Sequence, residues 1–551
     1  MLFPLKLISY GMVFCTAASL MLCSRHETGN AAEPDDSIIS EENEADESLT
    51  MDDYGSLADR LYPAPGATGA YAEGDLIITF DNQPSLASGM QVFIHDKDTG
   101  ETVDTVNSAN ETQIALGSAN NEIKVGSQLV RVVDKSVYIT PHFGKLKYNK
   151  SYFVAIPSGA VTAVLNGKTF AGFSDDKAIA TWSFTTRTEP VLNVSAPVTV
   201  EGSQNSTADF RTVYGALSAI ASKPGNWTIN VAPGVYNDLV HYAAGAEQTI
   251  VINGTGGAKY GADTVIQYAV SNFLNSGSGE TQRRPSFFFS GANLVLKNIT
   301  LKNTSARAPG YDPGQAETIY FANGNVSDGK RRTFAAYNCS FLSHQDTIQT
   351  SGKNWFYKCY IEGDTDYIWG TAEVCLLEEC ELVSVNDPNK SNKEAILLVA
   401  RTGSTADTAP AVGKGYVIYN SKVITQTGMT TYLGRNAGGN TFYDQTAVIK
   451  TAFTNEGSGK VADTIWKNAG VFLEGAAEHA GRKIYGNNVN GTPLDTGKLS
   501  ANTAIMTAEL YNAEYANREL ILNRVYNKAG SYEAASSLWD ISGLKVEFGS
   551  D

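Results

Sequence analysis

Charged residues are scarce in this sequence, and basic residues are the scarcer kind. Lys, Arg, Asp and Glu make up 18% of the 551 residues, against about 25% in an average soluble protein. The 42 Lys and Arg face 58 Asp and Glu, which gives a net charge of −16. A nucleic-acid binder normally carries a basic surface that neutralises phosphates, so this composition argues against that class.

Several catalytic and metal-binding signatures are also missing. Only six His are present and no Gly-x-Ser-x-Gly elbow occurs, so a Ser-His-Asp esterase lacks its usual signal. The sequence has no His-Glu-x-x-His, EF-hand or phosphate-loop motif, and its six Cys form no paired Cys-x-x-Cys set. We therefore expect no metal and no cofactor.

The amino terminus has the pattern of an exported protein. Residues 1–23 contain one Lys before an uncharged apolar stretch that is short for a membrane span, which is typical of an export signal. Cys23 resembles the lipid-acceptor Cys of bacterial lipoproteins, although Leu22 precedes it where a small residue is usual. The chain is thus expected at the cell surface as an outer-membrane lipoprotein anchored through Cys23, or else in the periplasm or secreted. Residues 24–59 hold 12 acids and one Arg, a composition that predicts a disordered tether.

Residues 60–188 show the spacing of a small β-sandwich. Short apolar runs are separated by Gly, Asn, Asp and Pro turns; they are Leu76–Phe80, Gln91–Ile94, Ser151–Ile156 and Thr181–Phe184. The arrangement resembles the bacterial Ig-like domains appended to surface enzymes. Such a domain would serve either as a carbohydrate-binding module or as a spacer, and the spacer is the more common case.

Residues 189–551 carry an internal period of about 20. Similar strand-like segments place equivalent residues at 299, 339, 359, 380 and 421, with steps of 40, 20, 21 and 41. This period predicts an all-β, right-handed parallel β-helix, in which each coil stacks its strand on the previous one. Ser206 and Thr207 could cap a helix from Ala208 to Ile220 that would cover the open end of the stack.

The period aligns three cysteines, Cys339, Cys359 and Cys380, in one column. Adjacent coils lie about 4.8 Å apart, which a disulfide tolerates, so one bridge among the three is sterically possible. Buried thiols that fill a stacked column are at least as plausible an interpretation.

Two aspartates form a second column. Asp346 and Asp366 each lie seven residues after a cysteine of the first column, so they should stack on neighbouring coils. Two carboxylates this close cannot both ionise cheaply, and one should have a raised pKa. Such a pair supplies a general acid and an ionised nucleophile or base, although a structural Asp ladder bound to turn amides would show the same spacing.

Five motifs in order resemble those of pectin methylesterases, which are carbohydrate esterases built on a right-handed β-helix. The resemblance extends from about Ala208 to the 530s. The motifs are Gly234-Val235-Tyr236-Asn237-Asp238, Gln315-Ala316-Glu317-Thr318-Ile319, Gln345-Asp346-Thr347-Ile348, Asp366-Tyr367-Ile368-Trp369-Gly370 and Leu433-Gly434-Arg435-Asn436-Ala437. Two of them contain the aspartates that the coil period had already aligned.

The resemblance implies a role for each matched residue. Asp366 would attack the methyl-ester carbonyl of a galacturonate unit, and Asp346 would act as general acid and then as general base. Gln315 and Gln345 would donate hydrogen bonds to the oxyanion, and Arg435 would pair with Asp366. Substrate binding would fall to Trp369, Tyr367 and Thr347, with core packing as the alternative for Trp369. His344 could tune the neighbouring Gln345-Asp346 pair, but adjacent strand residues point to opposite faces.

Two departures from the family pattern stand out. Ala437 replaces a Trp, which removes one expected sugar-stacking surface, and Glu317 replaces an apolar residue. The resemblance implies a monomeric enzyme whose partner is methyl-esterified homogalacturonan. The alternatives are another β-helix pectin enzyme, such as a lyase or galacturonase, and a non-catalytic pectin-binding surface protein.

Overall fold

The computed structural model describes residues 54–117, 121–277, 280–322, 332–402, 411–437, 441–469, 481–527, 531–536, 538–541 and 544. The export signal over 1–23, Cys23 and residues 24–53 of the predicted tether lie outside the described residues, as does part of the loop after Ala437. The tether predicted over 24–59 is wrong at its end, because Tyr54 and Leu57 are buried in the apolar core of the amino-terminal sheets. None of the helices in these ranges is long and apolar enough to cross a membrane.

The amino-terminal part contains two main β-sheets that share one apolar core. The four-stranded sheet has the order Leu61–Tyr62, Leu76–Thr79, Ser136–Ile139 and Val130–Val133. The five-stranded sheet has the order Ala67–Ala70, Ser183–Thr186, Ser151–Ala155, Gln91–Asp96 and Thr102–Asn107. The smaller elements are the hairpin Glu111–Leu116 with Glu122–Ser127, the pairs Ser85–Leu86 with Val161–Thr162 and Val164–Leu165 with Lys168–Thr169, and the helix Asp175–Thr181.

All four predicted runs contain strands, but the last one is displaced. Ile78, Val92, Val154 and Phe184 are buried in the shared core, as apolar alternation requires. The run predicted over Thr181–Phe184 is wrong at its start, because Thr181 ends a helix and the strand begins at Ser183. The resemblance to an Ig-like domain stays a prediction.

The rest of the chain winds into a parallel β-helix, as the period predicted. A 17-stranded sheet forms two of the walls, because its strands pair in two parallel ladders that the long strands Ile348–Tyr357 and Ile368–Glu378 join. Its strands are Val198–Val200, Gly225–Val231, Val240–Ala243, Gln248–Gly254, Phe287–Ser290, Asn293–Lys297, Ile319–Ala322, Thr333–Tyr337, Ile348–Tyr357, Ile368–Glu378, Glu394–Ala400, Gly415–Tyr419, Thr430–Gly434, Thr446–Ile449, Lys460–Val461, Arg482–Tyr485 and Thr503–Ile505. A ten-stranded sheet forms another, with strands Gly234–Asn237, Thr264–Tyr268, Thr300–Asn303, Ser340–Leu342, Tyr360–Gly363, Glu381–Ser384, Lys422–Thr425, Ala452–Asn455, Asn488–Val489 and Thr492–Pro493.

Short helices and one small sheet surround the coils. The small sheet joins Ala411–Val412, Arg524–Asn527 and Ser531–Ala534. The helices are Val213–Ile220, Asn272–Asn275, Glu280–Arg283, Ala508–Glu514 and Arg518–Asn523, with 3₁₀ turns at Lys259–Gly261 and Thr496–Lys498.

The helix that covers the first coil starts later than predicted. It runs from Val213 to Ile220, and the side chain of Thr212, not Ser206 or Thr207, accepts a hydrogen bond from the backbone N–H of Gly215. Phe210 instead lies in an isolated parallel bridge with Val200, which holds the preceding chain in an extended form. The helix buries four residues in the core of the coil, namely Val213, Ala216, Leu217 and Ile220.

The first family-like motif supports this helix. Asp238 is buried, and its carboxylate accepts a hydrogen bond from the backbone N–H of Tyr214 in the first turn, at 2.9 Å. Burial raises the pKa of Asp238 to about 7, although hydrogen bonds from the Tyr214 and Val213 amides oppose that rise.

The cysteine column forms as the period predicted, without a bridge. Cys339, Cys359 and Cys380 are all buried free thiols, as is Cys375. Burial raises the pKa of the Cys359 thiol, and contact with the other two thiols adds to the rise. The disulfide that spacing alone would permit is therefore absent among the described cysteines, and the thiols fill the core as small apolar groups.

The two sheets at the amino terminus pack directly on the β-helix within one compact unit. The Tyr71 hydroxyl and the Arg187 guanidinium each donate to the backbone carbonyl of Ala208 at 2.7 Å. The Gly126 N–H donates to the side chain of Asn275 at 2.7 Å.

Candidate active site

The two aspartates of the predicted column occupy equivalent turns on neighbouring coils. Each lies two residues before a strand, and the strands pair with Ile348 opposite Ile368, so the register places Asp346 next to Asp366. The Asp346 N–H donates to the carbonyl of Thr365 at 2.9 Å. Both aspartates have left-handed backbone angles, with φ of 61° and 48°, a conformation that Asp tolerates better than most residues.

Arg435 holds Asp366 through two parallel hydrogen bonds. Its Nε donates to Oδ1 at 2.9 Å and its Nη2 donates to Oδ2 at 2.5 Å. The side chain of Asp366 is 14% exposed and that of Arg435 is 35% exposed, so the pair lies at the rim of the coil, open to solvent on one side. This bidentate geometry favours an ionised and fixed carboxylate at position 366.

Asp346 lies deeper and has no comparable partner. Its side chain is 11% exposed, and the nearest described cation, Arg284 Nη2, lies 3.9 Å from Oδ2. Burial raises the pKa of Asp346 well above its ordinary value, and the charges of Glu317 and Asp366 add to the rise, against Arg284 and Arg401. The surroundings of Asp346 therefore favour its protonated form.

The two glutamines lie on the coils beside the aspartates. Gln345 forms a parallel bridge with Thr365 on one neighbouring coil. The backbone carbonyl of Gln345 accepts a hydrogen bond from the N–H of Ala316 at 3.2 Å, which places Gln315 on the neighbouring coil on the other side. Both side chains are half-buried. Their amide groups form no hydrogen bond with another described residue, so both can donate to a bound group.

Two of the three residues expected to bind substrate face the interior instead. Tyr367 and Thr347 have no exposed surface. The Tyr367 hydroxyl lies 3.3 Å from Ser384 Oγ, and Thr347 Oγ1 donates to the carbonyl of Glu362 at 2.8 Å. The structure contradicts the prediction that these side chains contact substrate, because both are part of the packed coil.

Trp369 lies on the outer face of the wall with 7% of its surface exposed. It packs with Ile396 and Val399, and Tyr432 and Ala437 complete the cluster. The ring is thus largely covered, and a role in sugar stacking stays a prediction.

Comparisons with known proteins match part of this chain to one family. Residues 198–460 match the family model described as Pectinesterase. These residues form a pectinesterase-family domain.

Curated relatives and solved structures carry the same description. The chain is 29% identical over 252 residues to "Probable pectinesterase/pectinesterase inhibitor 20" of Arabidopsis thaliana, covering 44% of this chain and 40% of that protein. It is 25% identical over 252 residues to "Pectinesterase" of Daucus carota, covering 45% of this chain and 71% of that protein. The solved "Pectin methylesterase from Carrot" is 21% identical with a TM-score of 0.45, over 60% of this chain and 95% of that one. The chain spans less than half the length of the first curated relatives it matches.

A second ionic cluster lies beside the aspartates of the pectinesterase domain. His344, Asp364 and Asp387 are, among the described residues, close enough to share a metal ion. Arg307 already binds both carboxylates, with Nη1 2.6 Å from Asp364 and 3.1 Å from Asp387, and Lys390 Nζ lies 3.0 Å from Asp364. Two cations therefore occupy the positions around these carboxylates, and the donor set does not fit a divalent metal.

His344 lies at this second cluster. Its Nδ1 lies 3.6 Å from a carboxylate oxygen of Asp364 and of Asp387. A direct role of His344 beside Asp346 stays a prediction.

The pectinesterase domain contains one ion pair at the site that sequence reasoning did not identify. Arg284 binds Glu317 with Nη2 2.5 Å from Oε1 and Nε 3.2 Å from Oε2. In the sequence, Glu317 differs from its surroundings only as a charged residue at an apolar motif position. Arg284 belongs to none of the five motifs, so only the coil geometry reveals that it lies near Asp346.

Proposed function

We propose that this protein hydrolyses methyl esters of homogalacturonan, releasing methanol and leaving polygalacturonate. The observation that carries the proposal is the asymmetry of the two stacked aspartates. Asp366 is fixed by a bidentate arginine near the surface, and Asp346 is buried with a raised pKa. That asymmetry provides an ionised nucleophile beside a proton donor.

In the proposed first step, a carboxylate oxygen of Asp366 attacks the ester carbonyl carbon. The carbonyl oxygen becomes an oxyanion, which the side-chain amides of Gln315 and Gln345 are placed to bind. Preorganised donors of this kind contribute about 3–4 kcal/mol each to the transition state. The bond from carbon to the methoxy oxygen then breaks, and Asp346 gives its proton to the departing methanol.

In the second step, the ionised Asp346 accepts a proton from water. The resulting hydroxide attacks the acyl carbon, the bond to Asp366 breaks, and the free carboxylic acid of the galacturonate unit forms and loses its proton to solvent. Asp346 is protonated again and Asp366 is ionised again, so the cycle needs no metal and no cofactor. Arg435 keeps Asp366 oriented throughout.

The remaining sequence predictions extend this proposal. We propose export directed by residues 1–23, with Cys23 as a candidate lipid anchor to the outer membrane, and a tether that ends before Tyr54. An Ig-like sandwich would follow up to residue 188, with the catalytic domain over 189–551. The sandwich would hold the catalytic domain away from the membrane or bind glycan. The protein is expected to act as a monomer.

The direct test measures methanol released from highly methylated pectin by the wild-type protein and by Asp366→Ala and Asp346→Asn. We expect turnover in the wild type, and none in Asp366→Ala, without loss of the fold by circular dichroism. Methanol release without chain shortening excludes a lyase or galacturonase. Full activity in Asp366→Ala, or binding of pectin without any methanol from the wild type, would disprove the proposal.

A further inference from the structure

A third carboxylate continues the column of the two aspartates. Ile319 pairs with Ile348 and Ile348 pairs with Ile368. The residues two positions earlier follow the same register, so Glu317, Asp346 and Asp366 occupy one column on three consecutive coils. Asp346 is the middle member.

Glu317 is completely enclosed. It has no exposed surface, and the side chain of Arg284 is 4% exposed. The two form a bidentate pair with distances of 2.5 and 3.2 Å. A buried ion pair costs more to desolvate than an apolar pair of the same size, so its presence next to the site calls for a role other than stability.

Arg284 also reaches the middle carboxylate. The same Nη2 atom that binds Glu317 lies 3.9 Å from Asp346 Oδ2. Its guanidinium carbon lies 6.0 Å from the centre of the Trp369 ring, and Glu280 flanks it at 3.6 Å. The guanidinium is therefore held on several sides while it contacts both carboxylates.

We propose that Arg284 and Glu317 are positioning residues for Asp346. The negative charge of Glu317 faces Asp346 from the coil opposite to Asp366 and keeps the proton on Asp346, and Arg284 fixes the position of both carboxyl groups. This inference rests on the proposed function, because it concerns the proton that Asp346 would give to methanol.

Asp346 is surrounded by charges on both sides. Glu317 and Arg284 face it from the preceding coil, and Asp366, with its partner Arg435, lies on the following one. Arg401 contributes a further positive charge. The charge of Glu317 raises the pKa of Asp346, and that of Arg284 lowers it. Burial also raises the pKa of Glu317, and the charge and hydrogen bonds of Arg284 oppose that rise.

The test is the pH dependence of kcat/KM for Glu317→Gln, measured as methanol release. The variant loses the negative charge and frees Arg284 to pair with Asp346, and both changes favour the ionised form. We expect the basic limb to move to lower pH by about one to two units, with KM unchanged. A basic limb that stays in place in the folded variant overturns the proposal, because a merely structural role would not move it.

A second variant tests the proposal if Glu317→Gln fails to fold. Arg284→Met combined with Glu317→Val replaces the pair with apolar side chains, a change that is often neutral or stabilising. Since both charges disappear together, we expect the basic limb to move in the same direction but less than in Glu317→Gln. The matched control is Glu378→Gln, which removes a similarly buried carboxylate from the distant Arg518 pair and should leave the pH profile unchanged.

Infrared titration separates this inference from the proposed function. In the wild type and in Glu317→Gln, the infrared band of protonated Asp346 is identified as the carboxylic acid band that Asp346→Asn removes. The intensity of this band reports the proton on Asp346 without any turnover. We expect the band to disappear at lower pH in Glu317→Gln than in the wild type. This shift in a protein that releases no methanol would support the positioning pair and disprove the esterase activity, whereas an unshifted band would overturn the positioning pair whatever the activity.

Discussion

The pair of Arg435 and Asp366 gives the sharpest prediction about the reaction. Arg435→Lys keeps the positive charge but cannot donate two parallel hydrogen bonds at 2.9 and 2.5 Å to the two carboxylate oxygens. Losing one hydrogen bond to a charged group costs about 1.5–3 kcal/mol. If that bond orients the nucleophile, the transition state loses the same amount of stabilisation, which lowers the rate by about 10- to 150-fold.

Exposure to solvent moves the expected loss of rate toward the lower end of this range. The Arg435 side chain is 35% exposed, and exposed charges interact more weakly. We therefore expect kcat to fall by about 10- to 30-fold in Arg435→Lys, and further in Arg435→Gln, where Asp366 loses its counter-charge next to Asp346. KM for methylated pectin should change little, because Arg435 binds the nucleophile and not the sugar.

The assay is the initial rate of methanol release over a range of pectin concentrations, so that kcat and KM separate. Arg518→Lys is the matched control, since Arg518 also binds a buried carboxylate through two nitrogens, at 3.3 and 2.8 Å from Glu378 Oε1, away from the aspartates. An unchanged kcat in Arg435→Lys, or an equal loss in Arg518→Lys, would refute the idea that Arg435 acts by orienting Asp366.

Three further predictions concern the catalytic proton, the backbone and stability. Asp346→Asn should lower kcat by about 10²- to 10⁴-fold, the usual contribution of a general acid, and near wild-type methanol release would contradict its role. Gly370→Ala should unfold the site, because Gly370 has φ of 131° and a Cβ there would lie 2.1 Å from the carbonyl oxygen of Thr350; an unchanged melting temperature would contradict this. Asp238 has a pKa raised from 3.8 to about 7, so the folded state binds its proton more tightly than the unfolded state and loses about 4 kcal/mol of stability as pH rises from about 4 to 7. Asp238→Asn should remove this loss, seen as a gain in the free energy of unfolding relative to wild type at pH 8 but not at pH 4.

The coil arrangement was predictable because repetition makes it visible. Cys339, Cys359 and Asp346, Asp366 each recur at an interval of 20, and a parallel register converts equal intervals into columns. The start of the covering helix was not predictable from local signals, since Ser206, Thr207 and Thr212 can all cap. The bridge between Phe210 and Val200 decides it, and that is a tertiary contact.

The prediction that Tyr367 binds substrate failed at a specific point in the backbone. Neighbouring residues alternate between faces only while the chain is extended. Asp366 has a left-handed φ of 48°, so alternation is interrupted there, and both Tyr367 and Ile368 are buried in the core. Closeness in sequence to a catalytic aspartate therefore does not imply closeness to the substrate.

A stack of like residues has opposite consequences for thiols and for carboxylates. Neutral thiols gain packing when Cys339, Cys359 and Cys380 stack in the core, because no charge is confined. Three carboxylates stacked on consecutive coils repel one another, and the column at the site persists because each outer member has its own bidentate arginine. Asp346, in the middle, has no bidentate arginine among the described residues. A proton on Asp346 is therefore the least costly way to balance the charge of the three carboxylates and two arginines. Because Asp346 and Asp366 are chemically identical, the positions of the neighbouring arginines are what distinguish them, and the proposed role of Asp346 as the acid rests on that difference.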